Sequence, residues 1–173
     1  MPPTSTAPSA SFPKSGTNTL EFSPSGTILL ACFDQVPACA LIYEFPGAGE
    51  QFYAPRLRSV LWNNLRVGDG GSPMRARMSP EPTREGTTIA VCTGAGAIYL
   101  WSDVRVLDSS TGSGAAGAAG VQEERGEMAE CVAIPAQKFA CRDLKWAPDG
   151  KGLILLDKGA FCCAFEVEDE DTY

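Results

Sequence analysis

The sequence predicts an all-β fold assembled from repeated antiparallel meanders, on three observations. Apolar residues come in short alternating or continuous runs rich in Val, Ile, Phe and Cys, and none of them has helical period. Tight-turn signals separate the runs. The strongest is Asp149-Gly150, where glycine accepts the positive φ that a two-residue hairpin turn requires. The pattern also recurs: Phe22-Ser23-Pro24-Ser25-Gly26 near the start stands where Trp146-Ala147-Pro148-Asp149-Gly150 stands near the end.

Taken in order, residues 1–17 are Pro, Ser, Thr and Ala with little to bury, and read as a disordered lead-in. The first unit, 18–54, opens with Thr19-Leu20-Glu21-Phe22 and turns at Gly26. It continues as a buried strand from Thr27 to Phe33 and returns from Cys39 to Phe45, with a short fourth strand expected at Gln51 to Ala54. The second unit, 57–134, is expected to begin with Leu57 to Trp62, its turn replaced by a polar Gly- and Pro-bearing insertion at 63–86. Its core resumes at Thr87 to Cys92, turns through Thr93-Gly94-Ala95-Gly96, and continues as Ala97 to Trp101. A second insertion, 103–128, carries the run SSTGSGAAGAAG, whose Gly and Ala bury almost nothing, and Glu130 to Ile134 then closes the unit. Both insertions are expected to be disordered. The third unit, 141–167, has strands ending at Trp146, Leu156 and Val167, and 168–173 is an acidic tail.

Phe22 and Trp62 lie about 40 residues apart, and Trp62 and Trp146 about 84 apart across two insertions of roughly 20, so the underlying period is near 40. That is the period of WD-repeat propeller blades, four-stranded antiparallel sheets that cannot bury their faces alone. The expected fold is a partial WD-repeat β-propeller of about three four-stranded blades. Closure takes typically four to eight blades, so the chain is expected to be the C-terminal part of a longer protein or a truncated product, and to associate or aggregate when isolated. The chain has no His, so the Gly-His dipeptide of many WD repeats and its hydrogen-bond network cannot form, and apolar packing is expected to hold the blades. Phe22, Trp62, Trp101, Trp146 and Phe161 are the expected core aromatics, and Gly26, Gly94, Gly96, Asp149 and Gly150 the expected turn residues.

Composition narrows the function. A net charge of -7 over 173 residues argues against a nucleic-acid partner, since phosphate neutralisation supplies most of that affinity. The start lacks the basic and apolar stretches of a secretion signal, and no run is long enough to span a bilayer, so a soluble protein of the cytoplasm and no membrane partner are expected. Seven cysteines with no CxxC pair, most of them inside apolar runs, read as reduced core thiols. Cys162-Cys163 points one thiol to each face of a strand, a poor chelate. Without His there is no Ser-His-Asp triad, no Cys-His pair and no His-bound metal, so no catalytic residue, cofactor or metal site is assigned. Gly94-Ala95-Gly96 hints at a phosphate loop, but Tyr99 stands where a third Gly is needed and a strand follows in place of a helix. Arg56, Arg58, Arg66, Arg75, Arg77 and Arg84 oppose the net charge. They read either as a solvated loop or, at Arg75, Arg77 and Arg84, as a contact for an acidic partner. Ser72-Pro73 and Ser79-Pro80 are expected in the same exposed loop, open to proline-directed phosphorylation.

Three groups of residues carry a narrower resemblance: Asp34-Gln35-Val36-Pro37, then Ile89-Ala90-Val91-Cys92-Thr93-Gly94 with Ile98-Tyr99-Leu100-Trp101-Ser102, then Leu155-Leu156-Asp157-Lys158 before Phe161-Cys162. In this order they resemble the C-terminal part of the centrosomal and spindle-pole WD-repeat family known as WD repeat-containing protein antisense to the tumour-suppressor gene. Outside the insertions the resemblance covers most of Gly16 to Val167. It implies a non-catalytic scaffold at the spindle pole or microtubule organising centre, anchoring microtubule minus ends with a coiled-coil adaptor and a minus-end kinesin, alongside the remaining propeller blades. The residues themselves leave a second class open, a small-ligand-binding or enzymatic β-domain using the Gly94–Gly96 turn and a cysteine.

Overall fold

The computed structural model describes residues 16–45, 54–63, 73–82, 86–106 and 124–165. Every regular element among them is a β-strand, and the strands form three antiparallel sheets. The first sheet is β1 (Thr17–Phe22), β2 (Ile28–Phe33), β3 (Cys39–Glu44) and β4 (Arg56–Trp62), in chain order. The second is β5 (Arg75–Met78), β6 (Thr88–Cys92), β7 (Ala97–Val106) and β8 (Glu124–Ala133), also in chain order. The third has β9 (Asp143–Trp146), β10 (Gly152–Leu156) and β11 (Phe161–Phe165), with β10 central.

Three strand assignments differ from the sequence expectation. Leu57 to Trp62 does not open the second unit. It closes the first, because β4 pairs with β3 (Leu41 opposite Val60, Cys39 opposite Trp62) and Leu61 packs on the core beneath. The true opening strand of the second sheet lies inside the expected insertion 63–86, at Arg75–Met78, where Ala76 and Met78 alternate inward. The expected insertion 103–128 is also shorter at both ends, since β7 and β8 pair continuously from Ala97 opposite Ala133 to Val106 opposite Glu124. The Gly/Ala-rich run at 109–120 and most of the fourth strand expected at Gln51 to Ala54 lie outside the described residues.

The corrected alignment reveals the same opening hairpin three times. Phe22 stands opposite Leu29, Met78 opposite Ile89, and Trp146 opposite Leu153. After each, the next amide closes the turn: Ser23 N–H donates to Ile28 O at 2.8 Å, Ser79 to Thr88 O at 2.8 Å, and Ala147 to Gly152 O at 2.7 Å. Gly26 and Gly150 take φ of +72° and +70° at the tips, a region that costs a side-chain residue about 1–2 kcal/mol.

The sheets stack face to face, with two cores between them. One joins Ile28, Leu30 and Ile42 of the first sheet to Met78, Ile89 and Trp101 of the second. The other joins Ala90, Cys92 and Ile98 of the second sheet to Leu144, Leu153 and Leu155 of the third. Strand alternation makes this possible, since Ile89 and Val91 face one way on β6 while Ala90 and Cys92 face the other. Neighbouring sheets meet along their first two strands, β1 and β2 against β5, and β5 and β6 against β9.

Candidate protein-interaction surface

Each sheet-to-sheet seam is pinned by polar contacts near the opening strands. Glu21 accepts from the Met78 amide (2.9 Å) and pairs with Arg77 Nη1 (3.4 Å), joining the first sheet to the second. The Trp146 indole N–H donates to Arg77 O at 3.0 Å, and Arg77 Nη2 lies 3.9 Å from Asp143, joining the second sheet to the third. Further out, Arg58 from β4 reaches Asp103 (2.7 Å) and Glu127 (3.1 Å), lies 5.8 Å from the Trp101 ring centre, and is itself nearly buried. Trp101 donates its indole N–H to Glu127 at 3.3 Å. Apolar packing holds the two seams, and carboxylate–arginine bridges accompany it.

The seams leave one face of each outer sheet uncovered among the described residues. On the first sheet this face carries Leu20, Phe22 and Leu57, all exposed, while the exposed Val60 and Trp62 of the outer strand border the space between the first two sheets. On the third it carries Ile154, Phe161 and Phe165, again exposed. Contiguous apolar area of this kind is rare on a protein that stands alone, and it marks a contact surface.

Of the five expected core aromatics, only Trp101 is fully buried, at 3 % exposure, and Trp146 is partly buried. Phe22 (56 %) and Phe161 (72 %) lie on the uncovered faces, and Trp62 (60 %) is exposed at the end of β4. Each lies on a strand as expected, Trp62 on the closing strand of the first sheet in place of the opening strand of the second, and burial depended on whether a neighbouring sheet packs on that side. Gly26, Gly94 and Gly150 have positive φ, Gly96 does not, and Asp149 accepts from the Lys151 amide at 3.1 Å. Gly94 N–H donates to Cys141 O, while Ala95 O and Gly96 O accept from Cys141 and Ile134, so this turn's backbone groups tie the second sheet to the approach to β9.

The expected basic patch is largely internal where it is described. Arg58 and Arg77 face carboxylates of their own chain, Arg75 is half-buried on β5, and Arg84 and Arg66 lie outside the described residues. Ser79 is not exposed as expected: it is 2 % exposed, with its hydroxyl donating to Glu81 O. Cys32, Cys39, Cys92 and Cys141 are buried, and burial pushes the Cys32 thiol up to about 11. Cys162 packs inward while Cys163 is exposed. Among the described residues no group of three or more Cys, Asp or Glu is placed to hold a metal ion.

Between the outer strands of the first two sheets lies a cleft of about 600 Å³, lined by Trp62, Met74, Val91, Tyr99, Trp101 and Ala129 among others. It is the apolar wedge left where two sheets joined at their opening strands part toward their outer edges. Comparison with protein-family models gives no match, and comparison with curated proteins gives none.

Proposed function

We propose that the chain is part of a WD-repeat β-propeller and serves as a non-catalytic scaffold for protein partners. One observation supports this reading: three meanders with one opening-hairpin register stack face to face, meeting along their first two strands and parting toward their outer ones, as radially arranged propeller blades would. The uncovered faces of the first and third sheets are then where further blades stack. A catalytic reading of the Gly94–Gly96 turn has less support, because its backbone groups bond within the chain and the nearby Cys92 thiol is pushed up by the hydrogen bond it shares with Cys141 and by burial.

The place of action, the spindle pole or microtubule organising centre, with a coiled-coil adaptor and a minus-end kinesin as partners, rests on the sequence resemblance of the segments around Ile89, Trp101 and Leu155. The test is to express the tagged chain in dividing cells and compare it with Trp101→Ala, which lacks the central core aromatic. Enrichment at spindle poles and recovery of the coiled-coil adaptor with the parent chain, both weakened by the substitution, are expected. A diffuse signal from a folded parent chain would remove the spindle-pole reading and leave the scaffold reading without its partner.

A further inference from the structure

We propose that two copies of this chain close head to tail into a six-sheet ring, the outer face of the third sheet in one copy packing on the outer face of the first sheet in the other. The inference rests on the propeller reading above and adds to it the identity of what covers the exposed faces.

Register supports the match. The second sheet presents one face to the sheet before it and the opposite face to the sheet after it. Met78, Ile89 and Trp101 of the second sheet face backward onto the first, and Trp146, Leu153 and Ala164 of the third face backward onto the second. The equivalent positions of the first sheet are Phe22, Leu29 and Tyr43, fixed by the pairings Phe22 with Leu29 and Leu29 with Tyr43. They belong to the face that no described residue covers. Conversely, Leu30 and Ile42 of the first sheet face forward and are buried by the second, and their counterparts in the third are Ile154 and Cys163, both exposed. Among the described residues, then, the backward face of the first sheet and the forward face of the third are both left uncovered.

Charge selects the same pairing. Glu21, Arg77 and Lys145 occupy equivalent positions on the three opening strands, opposite Leu30, Ala90 and Ile154. Within the chain Glu21 bridges to Arg77 of the next sheet, and Arg77, which would meet Lys145 as a like charge, is approached by Asp143 instead. Carried one step further, the series places the exposed Lys145 beside Glu21 of the second copy, an opposite charge. Two copies supply six sheets, within the four to eight at which propellers typically close, and closure leaves neither face open.

The test is size-exclusion chromatography with light scattering on the full chain across a concentration series. A mass of two chains that does not grow further is expected. Phe22→Glu on the first sheet and Phe161→Glu on the third should each weaken the dimer by about tenfold or more, by placing an unpaired charge in the seam. Mixing the two variants should restore dimer, because one seam in the mixed pair is then unaltered. Lys145→Glu, on an exposed side chain that leaves the cores untouched, should weaken it as well. A chain that stays monomeric, a mass that climbs without limit, or a dimer indifferent to Phe161→Glu and Lys145→Glu would overturn the proposal. Hydrogen exchange of the Trp146 indole separates the two failures: a monomer with that N–H protected keeps the stacked sheets and loses only the ring, whereas an unprotected N–H removes the propeller reading itself.

Discussion

At the scale of single residues, Trp101 and Trp62 should respond very differently to removal. Trp101 is enclosed by both sheets of the first core and bridged to Glu127, so Trp101→Ala is expected to cost about 3–5 kcal/mol. Trp62 is exposed at the end of β4, and Trp62→Ser should change the stability of the dilute, unassociated chain by no more than about 0.5 kcal/mol. Denaturant melts of the two variants check the order, and equal losses would mean that Trp62 is covered. Arg58→Leu leaves Asp103 and Glu127 without their nearly buried partner and is expected to cost about 3–5 kcal/mol, the range for breaking a buried pair from one side. The Cys32 thiol titrates near 11 against 9.0 when exposed, because burial disfavours the thiolate. A group raised in this way adds stability that is complete below pH 9.0 and declines as pH rises toward 11. Stability curves of the parent chain and Cys32→Ala should therefore converge over that interval, and parallel curves would show that Cys32 ionises freely.

At the scale of elements, turns and ties can be tested separately from the cores. Gly26 and Gly150 share a positive φ, but a Cβ on Gly26 would meet open space, while one on Gly150 would come within 2.9 Å of Ser79 Oγ and 3.1 Å of Glu81 Cβ. Gly26→Ala should cost about 1–2 kcal/mol from backbone conformation alone, and Gly150→Ala should cost more, measured as a difference in melting midpoint. Equal costs would mean that the third sheet's first turn stands clear of the second sheet. Asp157 holds the approach to β9 by accepting from the Ala140 and Lys158 amides and from Arg142, which keep its carboxyl below the usual range. That contribution is complete above the unfolded value of 3.8 and fades as pH falls through the lower folded one, so Asp157→Asn should flatten the acid limb of the stability profile. These elements also show what the sequence disclosed. Phe22-Ser23-Pro24-Ser25-Gly26 and Trp146-Ala147-Pro148-Asp149-Gly150 were legible because a glycine tip and a tight turn leave a local signature. The matching Met78-Ser79-Pro80 was hidden, since its turn closes on Thr88, four residues later than in the other two, and the sequence has Pro82 where the other two have Gly26 and Gly150. Leu57 to Trp62 looked like an opening strand for a physical reason: alternation records that a strand has an inner face but not which neighbour it pairs with.

At the scale of the molecule, the three sheets should not be equally stable. The middle sheet is covered on both faces, whereas the third has three strands and one covered face, so fewer contacts oppose its opening. In stacked arrays of this kind stability is approximately a sum of unit and nearest-neighbour terms, and the end unit with the weakest seam opens first. The Trp146 indole N–H reports on the second seam directly, through Arg77 O, whereas the Trp101 indole N–H bonds to Glu127 within the second sheet and reports on that sheet with the first core packed on it. In dilute solution Trp146 should exchange through a lower-energy opening than Trp101, with β9 to β11 separating while the first core holds. Raising the protein concentration covers the outer face of the third sheet if two copies close, so the gap between the two exchange rates should narrow. A gap that is absent at low concentration would mean that all three sheets unfold as one unit, and a gap unchanged on concentration would mean that association, where it occurs, leaves the third sheet uncovered.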